Sequence, residues 1–134
     1  MTDMLLNIAN YLIYQGIVQA DGEDIFRDYI PDSPDQVVAL QEYAGDGSLP
    51  QAQGAQRRFQ VAVRASREDP DWARRKAWSI YNVLDVPEGI IDARGVGLQL
   101  WGVMNAIQTP FKLRVDDNAR ILYGFNMVII TERD

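Results

Sequence analysis

Histidine and cysteine are both absent from the sequence. Histidine is the most frequent general base of enzymes, and cysteine provides thiol nucleophiles and many zinc ligands, so most catalytic arrangements are excluded. Carboxylates are the remaining candidates. Asp116 and Asp117 are adjacent within VDDNA, a composition typical of a tight turn, and we interpret them as turn residues, with a metal site as the alternative. We therefore expect no enzyme, no metal and no cofactor.

A long uninterrupted apolar run is also missing. The first residues, MTDMLLNIANYLIYQG, carry Asp3 where a signal peptide would carry Lys or Arg, and Asn7 and Asn10 interrupt the apolar residues. We predict neither an export signal nor a membrane span. Hydrophobic residues make up 47% and charged residues 24% of the 134 residues, which is typical of a globular chain, and the length predicts a single domain over residues 1–134.

Basic residues are scarce in the first 56 residues, which contain one base, Arg27, and nine acidic residues, for a net charge of 1 − 9 = −8. The remaining residues hold twelve bases and ten acids, for 12 − 10 = +2, which gives −6 for the chain. This net charge argues against nucleic acid binding as the main task. The acidic segment 21–46 and the basic segment 57–76 either pair within one chain and with solvent, or bind the opposite segment of a neighbouring copy in a head-to-tail ring.

The second interpretation names specific interface candidates. Two candidates lie at the end of the acidic segment: Asp46, and Leu49 three residues after it. The basic segment contributes four arginines as donors: Arg64, Arg67, Arg74 and Arg75.

Apolar residues at helical spacing predict two helices. The first is expected from Asp3, as the N-cap, to about Gln15, and the second is expected to begin around Pro70 and to run to Asp85. The buried stripes are predicted to contain Met4, Leu5, Ile8, Tyr11 and Leu12 in the first helix, and Ala73, Ala77, Ile80, Tyr81 and Leu84 in the second.

Five strands are predicted, in EDIFRDYIPDSPD, QVVALQEY, FQVAVRAS, GLQLWGVMNAIQ and RILYGFNMVIIT. In FQVAVRAS the alternation places Phe59, Val61 and Val63 on a packed face and Arg64 on the opposite, exposed face. The run AGDGSLPQAQGAQ, residues 44–56, predicts a flexible loop that is either a disordered connection or a functional arm. The order α-β-β-β-α-β-β indicates an α+β fold, a mainly antiparallel sheet with two α-helices packed on it.

Four segments in this order resemble the tail terminator proteins of long-tailed bacteriophages, also labelled tail completion or minor capsid proteins. They are EYAGDGSLP after a strand, RFQVAVRAS, the helix AWSIYNVLD, and the strand pair QTPFKLRVDDNARILYGFNMVI. The similarity covers about residues 4–131. No single motif is diagnostic, and the order of the features carries the resemblance.

The resemblance implies a structural virion protein that forms a ring, commonly a hexamer, on the head-proximal end of the tail tube. There it ends polymerisation of the tube protein and offers the surface that joins the head connector. It implies no catalytic residue and no cofactor. The expected location is the head-tail junction of a virion assembled in the host cytoplasm, with DNA passing through the lumen without specific binding. Acidic residues lining that channel would give DNA no binding well, because like charges repel.

Two alternatives remain open at this stage. A component of the connector on the capsid side would also form a ring, with different partners. A small ligand-binding domain would use the three tryptophans, Trp72, Trp78 and Trp101, to line a pocket.

Overall fold

The computed structural model describes residues 3–48 and 54–132 of the chain. Helix α1 spans Met4–Tyr14 and helix α2 spans Asp71–Leu84. The strands are β1 Ile25–Arg27, β2 Val37–Ser48, β3 Gly54–Arg64, β4 Ile90–Asp92, β5 Trp101–Ala106, β6 Phe111–Val115 and β7 Ile121–Glu132.

All of these strands belong to one sheet with the order β1-β2-β3-β7-β5-β4, and β6 also pairs with β7. The pairing is antiparallel except between β1 and β2. Strand β7 pairs with β3 on one side, while its other side pairs first with β6 and then with β5. Strands β6 and β5 therefore lie end to end along β7.

The predicted α+β class and the order of the main elements are confirmed. Strands β4 and β6 were not predicted. Strand β4 has three residues, too few to establish a period-two pattern. Strand β6, FKLRV, was interpreted as part of the connection between the last two predicted strands.

Both helices pack on one face of the sheet, which we call the inner face. Phe59, Val61 and Val63 of β3 point to this face and are fully buried, as the alternation predicts. The helix stripes are confirmed in their main positions: Ala73, Ala77, Ile80 and Leu84 in α2, and Met4, Leu5, Ile8 and Leu12 in α1, are all buried. Burial of this apolar surface is the main favourable contribution to folding.

Two local expectations were wrong. Asp3 does not cap α1 with its side chain, because its backbone is left-handed with φ 59°, and it lies 3.7 Å from Arg27 instead. The loop predicted over 44–56 is wrong at both ends, because β2 continues to Ser48 and β3 begins at Gly54, with Gly47 opposite Gln56. The small residues that suggested a loop are compatible with paired backbone. Leu49 lies outside the described residues.

The predicted turn between β6 and β7 is present. The Asp116 carboxylate accepts hydrogen bonds from the backbone N–H groups of Asn118 and Arg120, both at 2.9 Å. Ala119 takes a left-handed conformation in this turn, with φ 60°. A Cβ atom is disfavoured there by about 1 to 2 kcal/mol.

Ala119→Gly should therefore raise the free energy of unfolding by about 0.5 to 1 kcal/mol, because glycine adopts φ 60° without steric cost. Urea unfolding followed by circular dichroism measures this change. Ala93→Gly is the control, since Ala93 has φ −101° and is buried, so glycine should destabilise the protein there. A lower midpoint for Ala119→Gly would contradict the prediction.

Candidate interaction surfaces

The outer face of the sheet, opposite the helices, is closed at one end by the segment that links β1 to β2. We call residues 28–36 the strap. Val37, Ala39 and Leu122 point to the outer face and are nevertheless buried. The Leu113 side chain of β6 also covers this end, because it lies 3.0 Å from the position that a Cβ on Gly124 would occupy. At the other end of the outer face, away from the strap, no described segment covers the sheet in this way.

Arg64 holds the strap from the outer face of β3. Its guanidinium donates hydrogen bonds to the carbonyl oxygens of Pro34 at 2.6 Å and Asp35 at 2.9 Å. Its side chain is buried, and burial lowers the pKa of Arg64, with the nearby charge of Arg120 acting in the same direction. The expectation that Arg64 is presented on an exposed face is wrong, because the strap covers the end of the face to which it points.

Arg120 holds the same strap from β7. Its guanidinium lies 2.9 Å from Asp35, 3.1 Å from Asp32 and 2.9 Å from Asp116. Burial acts to lower the pKa of Arg120, but the three carboxylates outweigh it and the pKa is raised. Only 7% of the Arg120 side chain is exposed, so its charge depends on these partners. Asp116 and Asp117 thus belong to a structural turn, and Asp116 is the least exposed of the three carboxylates that bind Arg120.

The ionisation of Asp116 should contribute to stability at neutral pH. Burial acts to raise the pKa of Asp116, but N–H groups of Arg120 and Asn118 and the Arg120 guanidinium lower it overall. A carboxyl group whose pKa is lower in the folded state stabilises the fold at any pH above its unfolded-state pKa, about 3.9 for aspartate. That stabilisation is lost as the pH falls through the folded-state pKa.

Asp116→Asn should therefore lower stability at pH 7 and reduce the further loss of stability below about pH 4. Asparagine keeps the side-chain oxygen that caps the turn but cannot ionise. Urea unfolding at pH 7 and pH 3 tests this, with Asp117→Asn as the control at an exposed carboxylate of the same turn. An equal decline with acid in the native chain and in Asp116→Asn would contradict the prediction.

The exposed side of α2 carries two of the arginines predicted from the sequence as interface donors, Arg74 and Arg75. Arg74 and Arg75 are 50% and 60% exposed, and they form ion pairs with Asp71 at 3.1 Å and Asp69 at 3.3 Å. Arg67, which precedes the helix, is also exposed. Exposed ion pairs of this kind contribute little to stability, so these guanidinium groups remain available to a partner.

The acidic segment runs from the edge strand β1 through the strap into β2, whereas α2 packs over β3, β7 and β5. Part of its charge is used within the chain: Asp21 binds Arg27 through two hydrogen bonds, and Asp24 accepts the N–H groups of Gln19 and Ala20. Asp28 is exposed and follows β1 directly. The acidic segment therefore combines pairing inside the chain, as at Asp21, with exposed charge, as at Asp28.

Two open depressions meet at Asp28. One, of about 500 Å³, lies on the outer face, and its lining consists of Asp28, Gln41, Glu42, Tyr43, Gln60 and Asn126. The other, of about 280 Å³, lies beside β1, and its lining consists of Asp21, Gly22, Phe26, Arg27, Asp28 and Tyr29. Both are surface depressions rather than enclosed cavities.

A comparison with protein-family models finds one that describes the bacteriophage tail terminator protein, and it matches residues 11–133. The chain belongs to the bacteriophage tail terminator family. It is therefore a structural protein of the phage tail and associates with tail components. The resemblance read from the sequence is confirmed. A search of curated proteins returned no match.

The described residues include no group of three or more acidic side chains arranged to hold a metal ion. The three tryptophans do not meet in one pocket, because Trp101 lies under Arg94 on the outer face, whereas Trp72 and Trp78 belong to α2. Neither α1 nor α2, the described helices, is long and apolar enough to cross a membrane.

Proposed function

We propose that this tail terminator family member forms a closed ring, with six copies as the expected number, on the head-proximal end of the phage tail tube. The ring ends polymerisation of the tube protein and offers the surface to which the head connector binds. This places the protein at the head-tail junction of a virion assembled in the host cytoplasm. The match to the family over residues 11–133 is the observation that carries the proposal.

The separation of charge on the monomer supports head-to-tail assembly. Helix α2, with its exposed arginines, packs over β3, β7 and β5, whereas Asp28 lies at the end of the edge strand β1. Strand β1 lies two to four strands away from β3, β7 and β5, about 10 to 19 Å at the usual strand spacing. Two different complementary surfaces on one chain generate a ring when the rotation between copies closes.

Termination requires that the two sides of the ring differ. One side must bind the last tube ring, and the other must present no surface that accepts another tube subunit. Asp46, in β2, and Leu49, which lies outside the described residues, are proposed contacts to the tube or the connector. The net charge of −6 disfavours tight binding of DNA that passes through the ring.

Addition of the purified protein to a tube protein that is polymerising tests the function directly. We expect tubes that stop growing and carry a ring at one end in negative-stain electron micrographs, at substoichiometric amounts of this protein. Light scattering of the protein alone, over a range of concentration and salt, gives the number of copies. Unchanged tube length together with binding to the isolated head connector would instead favour the component on the capsid side.

Charge reversal on α2 tests the proposed donor surface. The double substitution Arg74→Glu and Arg75→Glu should raise the concentration of half-assembly by about tenfold or more, because guanidinium groups at an interface are replaced by charges that repel the acidic surface. Sedimentation velocity measures the assembled mass. Lys112→Glu with Arg114→Glu, on exposed positions of β6, is the control with the same change in charge. An unchanged mass for the α2 variant would remove Arg74 and Arg75 from the interface.

A further inference from the structure

The exposed side of α2 contains an aromatic residue, Trp78, beside its arginines. Trp78 is 39% exposed and lies one turn from Arg74 and Arg75. Its ring packs edge-on against Tyr81 at 5.2 Å, and Tyr81 packs in the same way against Phe125 in the core at 5.5 Å. The indole is therefore supported from behind, and part of it stays in solvent.

A tryptophan beside two arginines is the composition typical of residues that dominate binding energy at interfaces. Tryptophan and arginine both provide large contact areas, and arginine can bind a carboxylate while it stacks on an aromatic ring. A surface that fits α2 should thus combine a carboxylate, exposed aromatic rings and a shallow depression. These three features also occur together in another part of the described chain.

That place is centred on Asp28. Its backbone is left-handed, with φ 66°, and its N–H group donates to the carbonyl oxygen of Leu40 at 2.7 Å. Asp28 lines both open depressions, one together with Tyr43 and the other together with Tyr29. Tyr29 is 57% exposed and Tyr43 is 40% exposed, so the carboxylate is accompanied by an aromatic ring in each depression.

The charges around this surface are compatible with a basic partner. Arg27 lies in the same region, but Asp21 binds its guanidinium through two hydrogen bonds, at 3.2 and 2.9 Å. Arg58 lies directly opposite Tyr43 on β3, so one basic residue borders this surface on the Tyr43 side. Asp21, which lines the depression beside β1 together with Asp28, adds a further carboxylate there.

We propose that the surface formed by Asp28, Tyr29 and Tyr43 binds the exposed side of α2 from a second copy of this chain, with Arg74 or Arg75 at the carboxylate and Trp78 in a depression beside a tyrosine. One chain cannot make this contact with itself, because α2 lies over the inner face and Asp28 lies at the β1 edge. The occupant is a neighbouring copy because the charges and the aromatic groups are complementary. The inference rests on the proposed ring and assigns the acceptor surface within it.

Asparagine is a suitable replacement for Asp28. It adopts the left-handed backbone readily and keeps the side-chain oxygen that lies 3.4 Å from the Glu42 N–H group. The acceptor variant is therefore Asp28→Asn with Tyr29→Ala, and the donor variant is Arg75→Ala with Trp78→Ala. Asp117→Asn with Tyr14→Ala is the matched control, because both residues are exposed and lie elsewhere on the chain.

Sedimentation velocity of each variant, and of the two interface variants mixed in equal amounts, tests the proposal. Each interface variant alone should need at least about tenfold higher concentration to assemble than the native chain, whereas the control should assemble normally. The mixture should form dimers of about twice 15.2 kDa and no ring, because one intact acceptor meets one intact donor. Circular dichroism melting curves verify that each variant is folded.

The outcomes separate the inference from the proposed function. If the native chain and the acceptor variant assemble equally well, the assignment of the acceptor surface is wrong, and the proposed ring is unaffected. A mixture that stays monomeric would also overturn it, since complementary halves must recombine. A native chain that remains monomeric at every concentration, with or without tail tubes, would overturn the ring and the inference together.

Discussion

Two buried arginines on the outer face of the sheet determine which surfaces this protein exposes. Arg64 and Arg120 hold the strap through its backbone carbonyl oxygens and through Asp32 and Asp35. A long segment without regular structure ordinarily remains mobile, because ordering its backbone costs conformational entropy. Hydrogen bonds to charged donors offset that cost here. The strap is thereby fixed over one end of the sheet, and the other end stays open.

This arrangement produces a monomer with distinct surfaces. The helices cover the inner face, the strap and β6 cover part of the outer face, and the open remainder lies next to the acidic edge at β1. The arginines used to hold the strap are unavailable for a partner, while those on α2 are exposed. The basic segment of the sequence is thus divided between an internal structural task and an external surface.

The sequence allowed the helices, the inner face of β3 and the turn at Asp116 to be predicted, because each depends on local spacing or local hydrogen bonds. It did not reveal β6, although FKLRV alternates apolar and basic residues and pairs with β7 across the turn at Asp116, because this short run was interpreted as part of a connection. The burial of Arg64 was missed for a different reason. Alternation tells which face a side chain points to, but the strap that covers this face comes from a segment 28 or more residues away. The acceptor surface around Asp28 likewise combines residues of β2 with those that follow β1.

The long strand β7 gives the protein a preferred mechanical direction. It is paired with β3 from Leu122 to Glu132, and its other side is occupied by β6 and then β5. Tension along β7 must shear hydrogen bonds on both sides together, whereas tension across the sheet can peel the three-residue strands β1 and β4 one bond at a time. The fold should therefore resist stretching along β7 most strongly and yield first at its two short edges.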